Sequence, residues 1–140
     1  MSDYETDILE WSERQADLLR RVGAGEKVND QVDWENVAEE IEAVGRSERH
    51  AVESLLTQAL AHMLKAEAWP LSPAVPGWLG EARLFRRQAR RRFAPSMRQK
   101  IDIADLYSDA LASLPDTMGG QPPMPVPDVC PVTLDEMLAD

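Results

Sequence analysis

The sequence predicts an all-α protein, a single-domain bundle of four to five helices with a proline-rich C-terminal tail packed on its outside. Apolar residues recur at helical spacing along several segments, and no segment alternates apolar and polar residues as a strand does. Glycines and prolines separate these segments, as expected at helix ends. At 140 residues, the chain can bury a hydrophobic core without disulfides. We therefore expect one helical domain over residues 1–140.

Two helical segments are predicted to begin before residue 46. The first covers residues 4–22, where Asp7 followed by Glu10 has the spacing of a capping box. The second begins at Asp33, a residue type that is favoured at the N-cap. Its apolar positions predict a buried stripe formed by Val37, Ile41 and Val44.

The helix that ends at Trp69 is predicted to be the packing axis of the bundle. Its wide apolar arc indicates neighbours on two sides. The arc consists of Val52, Leu55, Leu56, Ala59, Leu60, Met63 and Leu64. Pro70 ends the helix because the residue before a proline disfavours α geometry. Gly45 leaves two alternatives: it divides the segment 33–69 into two helices, or it lies inside one long helix at a cost of about 1 kcal/mol.

Two further helices and an irregular segment complete the chain. The helices are predicted over residues 78–93 and 97–114, the second with Ser96 as its N-cap. The segment 114–132 holds six of the ten prolines and shows no period, so we expect an irregular tail that lies ordered against the bundle. Thr133 and Glu136 have the spacing of a capping box, which predicts a short terminal helix within residues 133–140.

Charge and cysteine content restrict the compartment and the partners. The net charge of −10 argues against a general binder of nucleic acid or anionic membranes. The sequence has no run of about 18 apolar residues, and its acidic N-terminus lacks the pattern of a secretory signal. The single cysteine, Cys130, fits a reducing cytosol, and its proline-rich surroundings do not favour a catalytic role. We predict a cytoplasmic protein that does not bind membranes.

Acidic residues are the first candidates for chemistry. Glu39 and Glu42 are three residues apart and share a helix face, where paired carboxylates can hold Mg²⁺ beside a phosphate. A second acid pair on a later helix consists of Asp102 and Asp105. The arrangement resembles that of the all-α nucleoside triphosphate pyrophosphatases, so a Mg²⁺-dependent catalytic site is one alternative. We favour the other, in which Glu39 and Glu42 form ion pairs with Arg46 and Arg49 of the same helix.

His62 is a second candidate metal ligand. It lies at the flank of the apolar arc, and a metal site would need acids from elsewhere, such as Glu39 or Glu42. We favour a partly buried histidine that is hydrogen-bonded to a neighbour. The sequence has no glycine-rich phosphate loop and no zinc or protease motif. No cofactor is therefore predicted, apart from Mg²⁺ under the enzyme alternative.

A basic block occupies residues 81–100, with eight Lys or Arg against the single acid Glu81. Four of its arginines share one predicted helix face: Arg83, Arg86, Arg87 and Arg90. We favour an intramolecular role, in which this face lies opposite the acids of residues 39–42 or those after residue 101. Otherwise it is an interaction surface for an acidic protein partner, and nucleic acid is the least favoured ligand.

Five sequence blocks resemble one bacterial protein family of unknown function, the domain family numbered 29. They are YETDILEW (4–11), QADLLR (15–20), DWENVAEEIEAVGRSER (33–49), LAHMLKAEAWP (60–70) and CPVTLDEML (130–138). The resemblance implies an all-α fold, a soluble bacterial protein and no established activity. We predict a cytoplasmic helical protein-interaction or regulatory module that binds a protein partner or itself. The alternative is an all-α, Mg²⁺-dependent nucleotide pyrophosphohydrolase-like enzyme.

Overall fold

Helices carry the regular structure of this protein. The computed structural model describes residues 3–139, and no strand forms within that range, where a lone bridge joins Met118 to Gln121. The helices are α1 (Asp3–Thr6), α2 (Ile8–Gly23), α3 (Trp34–Ala68), α4 (Val75–Arg92), α5 (Ile103–Ala112) and α6 (Leu134–Leu138). Short 3-10 turns cover Asn29–Gln31 and Pro95–Gln99. The predicted all-α class is confirmed.

The chain divides into two compact units, Met1–Arg46 and Ser47–Asp140. Their boundary falls inside α3, which is one continuous helix of 35 residues. Gly45 therefore does not break the segment, because its small helical penalty is outweighed by the turns on either side. That the whole chain acts as a single domain stays a prediction.

The first unit is a helical hairpin built from α2 and the beginning of α3. Asp7 divides the predicted first helix, because its extended backbone caps α2 and its carboxylate accepts a hydrogen bond from the Glu10 amide at 3.1 Å. The core of this unit is small and consists of Trp11, Leu18, Val28, Val32 and Val37. Each of these side chains is less than a tenth exposed.

The predicted burial of the stripe on early α3 is wrong for two of its three members. Val37 is buried, but Ile41 is 68% exposed and Val44 is 67% exposed. Within this unit, α3 packs against α2 and the segment around Val28 and Val32, and this small core reaches Val37. The hairpin therefore leaves the next two turns of the apolar stripe uncovered.

The second unit has the larger core, with the second part of α3 as its axis. Val52, Leu56 and Ala59 have no exposed surface. They pack in one cluster with Tyr107 and Ala110 of α5, with Met137 and Leu138 of α6, and with Ala89 of α4. This arrangement agrees with the wide apolar arc of the sequence.

The helix predicted over residues 97–114 begins later than expected. Residues 95–99 form a 3-10 turn, and Asp102 rather than Ser96 caps α5, where its carboxylate accepts a hydrogen bond from the Ala104 amide at 3.0 Å. The turn buries Met97 and places Ile101 in the core. Burial of these two side chains favours the turn over an earlier helix start.

The segment between α5 and α6 is irregular and is hydrogen-bonded to the helices of its own unit. Gly119 and Gly120 adopt positive φ in the turn that brings Met118 and Gln121 together. The Gln121 carbonyl accepts a hydrogen bond from Trp69 Nε1 at 3.0 Å, and the Pro127 carbonyl accepts one from the Tyr107 hydroxyl at 2.5 Å. These bonds hold the segment against α3 and α5.

The terminal helix α6 begins as the sequence predicts. The Thr133 hydroxyl accepts a hydrogen bond from the Glu136 amide at 3.1 Å, and the Glu136 carboxylate accepts one from the Thr133 amide at 3.3 Å. This reciprocal capping box is confirmed. Among the helices of residues 3–139, none has the length and apolar character needed to cross a bilayer.

Candidate interaction surfaces

The acid pair on early α3 is held by an arginine of the same helix. Arg46 lies 2.7 Å from a Glu39 carboxylate oxygen and 3.9 Å from one of Glu42. Arg49 instead pairs with Glu53 at 3.7 Å. The two pairs of Arg46 are exposed, and each is worth about 0.2–1 kcal/mol.

The second acid pair also has a local structural role. The Asp102 carboxylate caps α5, and Asp105 lies exposed in the first turn of the same helix. Within residues 3–139, no group of three or more His, Cys, Asp or Glu side chains is arranged to hold a metal ion. The geometry therefore offers no support for the enzyme alternative.

His62 is a partly buried histidine with one bonded nitrogen. Its Nε2 lies 3.0 Å from a Glu81 carboxylate oxygen, and its ring stacks on Phe85 at a centroid distance of 5.7 Å. Its Nδ1 is buried without a hydrogen-bond partner. Burial lowers the pKa of His62, and the carboxylate of Glu81 opposes this shift only in part. The neutral imidazole is thus the form that the folded protein favours.

Two arginines of α4 bond the end of α6. Arg86 donates hydrogen bonds to the carbonyls of Met137 at 3.0 Å and Glu136 at 2.8 Å. Arg90 donates one to the Ala139 carbonyl at 3.3 Å. The last carbonyls of a helix lack partners inside the helix and carry partial negative charge, so guanidinium groups stabilise them.

The arginine groove is an open depression of about 560 Å³ that lies along α4. It is lined by Arg83, Leu84, Arg86, Arg87, Arg90 and Ala139. The sequence predicted acids opposite this face, whereas Arg86 and Arg90 donate to backbone carbonyls. The acids of α6 bond elsewhere, Asp135 to Arg98 and Glu136 to Thr133. Arg83 and Arg87 remain exposed, so the surface stays available for an anionic partner group.

A hydrogen-bond network organises the hairpin of the first unit. One Asp33 carboxylate oxygen accepts hydrogen bonds from Trp11 Nε1 at 3.0 Å and from Asn36 Nδ2 at 2.8 Å. The Asp33 amide donates to the Gln15 side chain at 2.7 Å. The bonds from Asn36 and Trp11 hold the pKa of Asp33 below its usual value. The sequence indicated only an N-cap at Asp33 and did not reveal these cross-helix bonds.

The hairpin groove is an apolar depression of about 220 Å³ in the first unit. It lies between Ser12, Ala16 and Leu19 of α2 and Val37, Ile41 and Val44 of α3. Helical periodicity identified the α3 side of this groove but predicted its burial. No motif in the sequence distinguishes an apolar stripe that faces the core from one that faces solvent.

A second apolar depression, of about 450 Å³, lies in the second unit beside Trp69. Pro70, Leu71, Met118 and Met124 are among its lining residues. Leu71 is 97% exposed, and Met124 is 56% exposed. Trp69 also lines the depression, and its Nε1 donor is already bonded to the Gln121 carbonyl.

Over residues 3–139 the chain is thus an all-helical protein with apolar and charged depressions on its surface. The chain belongs to the family described as the domain of unknown function DUF29, whose model matches residues 4–140. The resemblance inferred from the five sequence blocks is confirmed.

A solved structure supports the same fold. The crystal structure of an alpha-helical protein of unknown function from Rhodospirillum rubrum, determined at 1.45 Å resolution, is 28% identical to this chain. The similarity covers 99% of this chain and 90% of the other, with a TM-score of 0.64. No curated protein matches the chain. These comparisons show the family and the fold and assign no activity.

Proposed function

We propose that this protein is a helical protein-interaction module whose contact surface is the hairpin groove. The observation that carries this proposal is the exposure of Ile41 and Val44, at 68% and 67%, beside the apolar side chains of α2. Contiguous exposed apolar surface is uncommon in monomeric proteins and marks sites of association. Burial of this surface by a partner removes apolar area from water, which is the main favourable contribution to association.

The polar side chains of the groove are already bonded inside the first unit. The Gln15 side chain accepts a hydrogen bond from the Asp33 amide, and the Glu40 carboxylate accepts one from the Tyr4 hydroxyl at 2.5 Å. Both residues line the groove. A partner that covers them does not strip away their hydrogen bonds, which keeps the desolvation cost low.

Exposed large apolar residues are denser in the first unit than in the second. Among residues 3–46 they are Ile8, Leu9, Trp34, Ile41 and Val44. The same number occurs over the longer stretch 47–139 of the second unit. The density of exposed apolar side chains is thus about twice as high where the core is smaller, which favours the first unit as the binding element. The single cysteine supports a cytoplasmic location.

Comparative affinity capture tests this proposal. The double variant Ile41→Gln/Val44→Gln removes the apolar contact and keeps good helix formers, whereas Leu71→Gln changes an exposed leucine outside the groove. We expect a set of proteins from a bacterial lysate to be retained by the wild type and by Leu71→Gln, and to be lost with the double variant. Quantitative mass spectrometry measures retention, and circular dichroism verifies that both variants are folded. Equal retention by all three proteins would exclude the hairpin groove as the contact surface.

A further inference from the structure

We infer that the occupant of the hairpin groove is a basic amphipathic helix of a partner protein. The inference rests on the proposed function and adds the chemistry of the partner. It follows from the net charge of the first unit, the residues that line the groove and the length of the groove.

The first unit is strongly acidic. Residues 1–46 contain thirteen Asp or Glu and five Lys or Arg, a net charge of −8, whereas residues 47–140 contain twelve and ten, a net charge of −2. Two of the five bases are already paired with acids of their own unit: Arg21 with Asp17 and Glu26, and Arg46 with Glu39 and Glu42. The potential around the hairpin is therefore negative and attracts a cationic partner.

The groove itself lacks a basic lining residue. Glu40 contributes the charged side chain of the lining, and Glu13 lies exposed one position beyond Ser12 on α2. Arg20, an exposed base, follows Leu19 on the same helix. A partner helix with Lys or Arg on both flanks of its apolar face meets more acids than bases here.

The dimensions fit one helix that packs along two others. Ser12 to Leu19 and Val37 to Val44 each span seven residue steps, which is about 10.5 Å at 1.5 Å per residue. Two helical turns of a partner cover that length with apolar side chains at positions i, i+3 or i+4, and i+7. The partner helix then packs beside α2 and α3, and Ile41 and Val44 become interior.

The same charge disfavours two other occupants. A symmetric contact between two copies through this groove brings together two surfaces of net charge −8, and like charges across an interface are costly. An anionic membrane surface repels the unit for the same reason. A basic amphipathic helix is stabilised in the groove both by burial of its apolar face and by the negative potential of the first unit.

Binding of three synthetic peptides of about 18 residues to the full chain tests the inference. The first is a Leu/Lys amphipathic helix, the second a Leu/Glu helix with the same apolar face, and the third a Leu/Lys peptide of scrambled order. Isothermal titration calorimetry measures Kd, and we expect the first peptide to bind at least about tenfold more tightly than either of the others. Ile41→Gln/Val44→Gln should weaken that binding by about tenfold or more, and Leu71→Gln should leave it unchanged.

Each of the other possible results would reject either the basic helix as occupant or the proposed function. If the scrambled and ordered Leu/Lys peptides bound equally tightly, net charge alone would explain the binding, and the inference would be rejected. A dimer seen by sedimentation that disappears in the double variant would identify a second copy as the occupant, and binding to anionic vesicles that depends on the same residues would identify a membrane. If no peptide binds but capture from the lysate still depends on Ile41 and Val44, the basic helix is rejected and the proposed function stands. If the peptide binds at the groove but capture does not depend on it, the proposed function fails instead.

Discussion

The two parts of α3 have similar apolar periodicity and opposite environments. Before the unit boundary, Ile41 and Val44 are about two-thirds exposed. After it, Val52, Leu56 and Ala59 have no exposed surface at all. One uninterrupted helix thus leaves Ile41 and Val44 of its apolar stripe exposed in the first unit and buries Val52, Leu56 and Ala59 completely in the second.

Burial of an apolar stripe on a helix depends on how many elements pack around it. In the second unit, side chains of α4, α5 and α6 all join the cluster around α3. In the first unit, the small core is formed by α2, α3 and the segment that carries Val28 and Val32. A helix hairpin covers one flank of each helix, so the other flank stays in solvent unless a further element packs there.

The largest expected effect comes from truncating one apolar residue in each part of α3. Leu56→Ala should lower the free energy of unfolding by about 2–5 kcal/mol, because it leaves a cavity in a closed core. Ile41→Ala should change it by no more than about 0.5 kcal/mol, because the side chain is already in water. Urea unfolding followed by circular dichroism measures both. Similar losses for the two variants would contradict the contrast between the two parts of the helix.

The second largest effect is a difference in stability between replacing Arg86, which bonds α6, and replacing the exposed Arg87. Arg86→Met should cost about 1.5–3 kcal/mol, because it removes charged hydrogen bonds to the Met137 and Glu136 carbonyls. Arg87→Met, on the same helix but exposed, should stay within about 0.5 kcal/mol of the wild type. Chemical denaturation gives the two values. An equal cost at both positions would show that general charge, rather than the end of α6, is what Arg86 contributes.

A smaller effect of opposite sign is expected at the unit boundary. Gly45 lies inside α3, and a Cβ added there meets no atom within 4 Å. Gly45→Ala should therefore raise the free energy of unfolding by up to about 1 kcal/mol through helix propensity and a less flexible unfolded chain. A rise in melting temperature checks this. A loss of stability would show that the glycine is needed for close approach of another group.

The smallest effect concerns pH in the second unit. Burial lowers the pKa of His62, so below the unfolded-state value of about 6.5 the unfolded chain binds the proton more readily than the folded one. The free energy of unfolding should therefore fall as the pH drops from about 7 toward the lower folded pKa. His62→Gln should flatten this slope, whereas the exposed His50→Gln should keep it. Denaturation series at several pH values measure the slopes, and an unchanged slope in His62→Gln would exclude this imidazole as the cause.

Local signals predicted the helices well and predicted contacts less well. The capping box of Thr133 and Glu136 is correct because all of its donors and acceptors lie within four residues. The choice of Ser96 as a cap is wrong because burial of Met97 and Ile101 outweighed a local preference. Helical spacing identified the basic face of α4. It could not predict that Arg86 bonds backbone carbonyls about fifty residues away, because the charge pattern carries no information on uncharged acceptors.

Local sequence features are enough to predict that this protein is helical, that α3 ends close to Pro70, that α6 follows Thr133, and that the charge is unevenly distributed. These properties follow from hydrogen bonds and side-chain preferences that act over a few residues. Tertiary structure decided which apolar stripe is buried, that α3 is continuous through Gly45, and that Arg86 bonds the end of α6. Those outcomes depend on which distant elements fill the space around a helix. For Ile41 and Val44, no described element of their unit does so, and they are where we expect a partner.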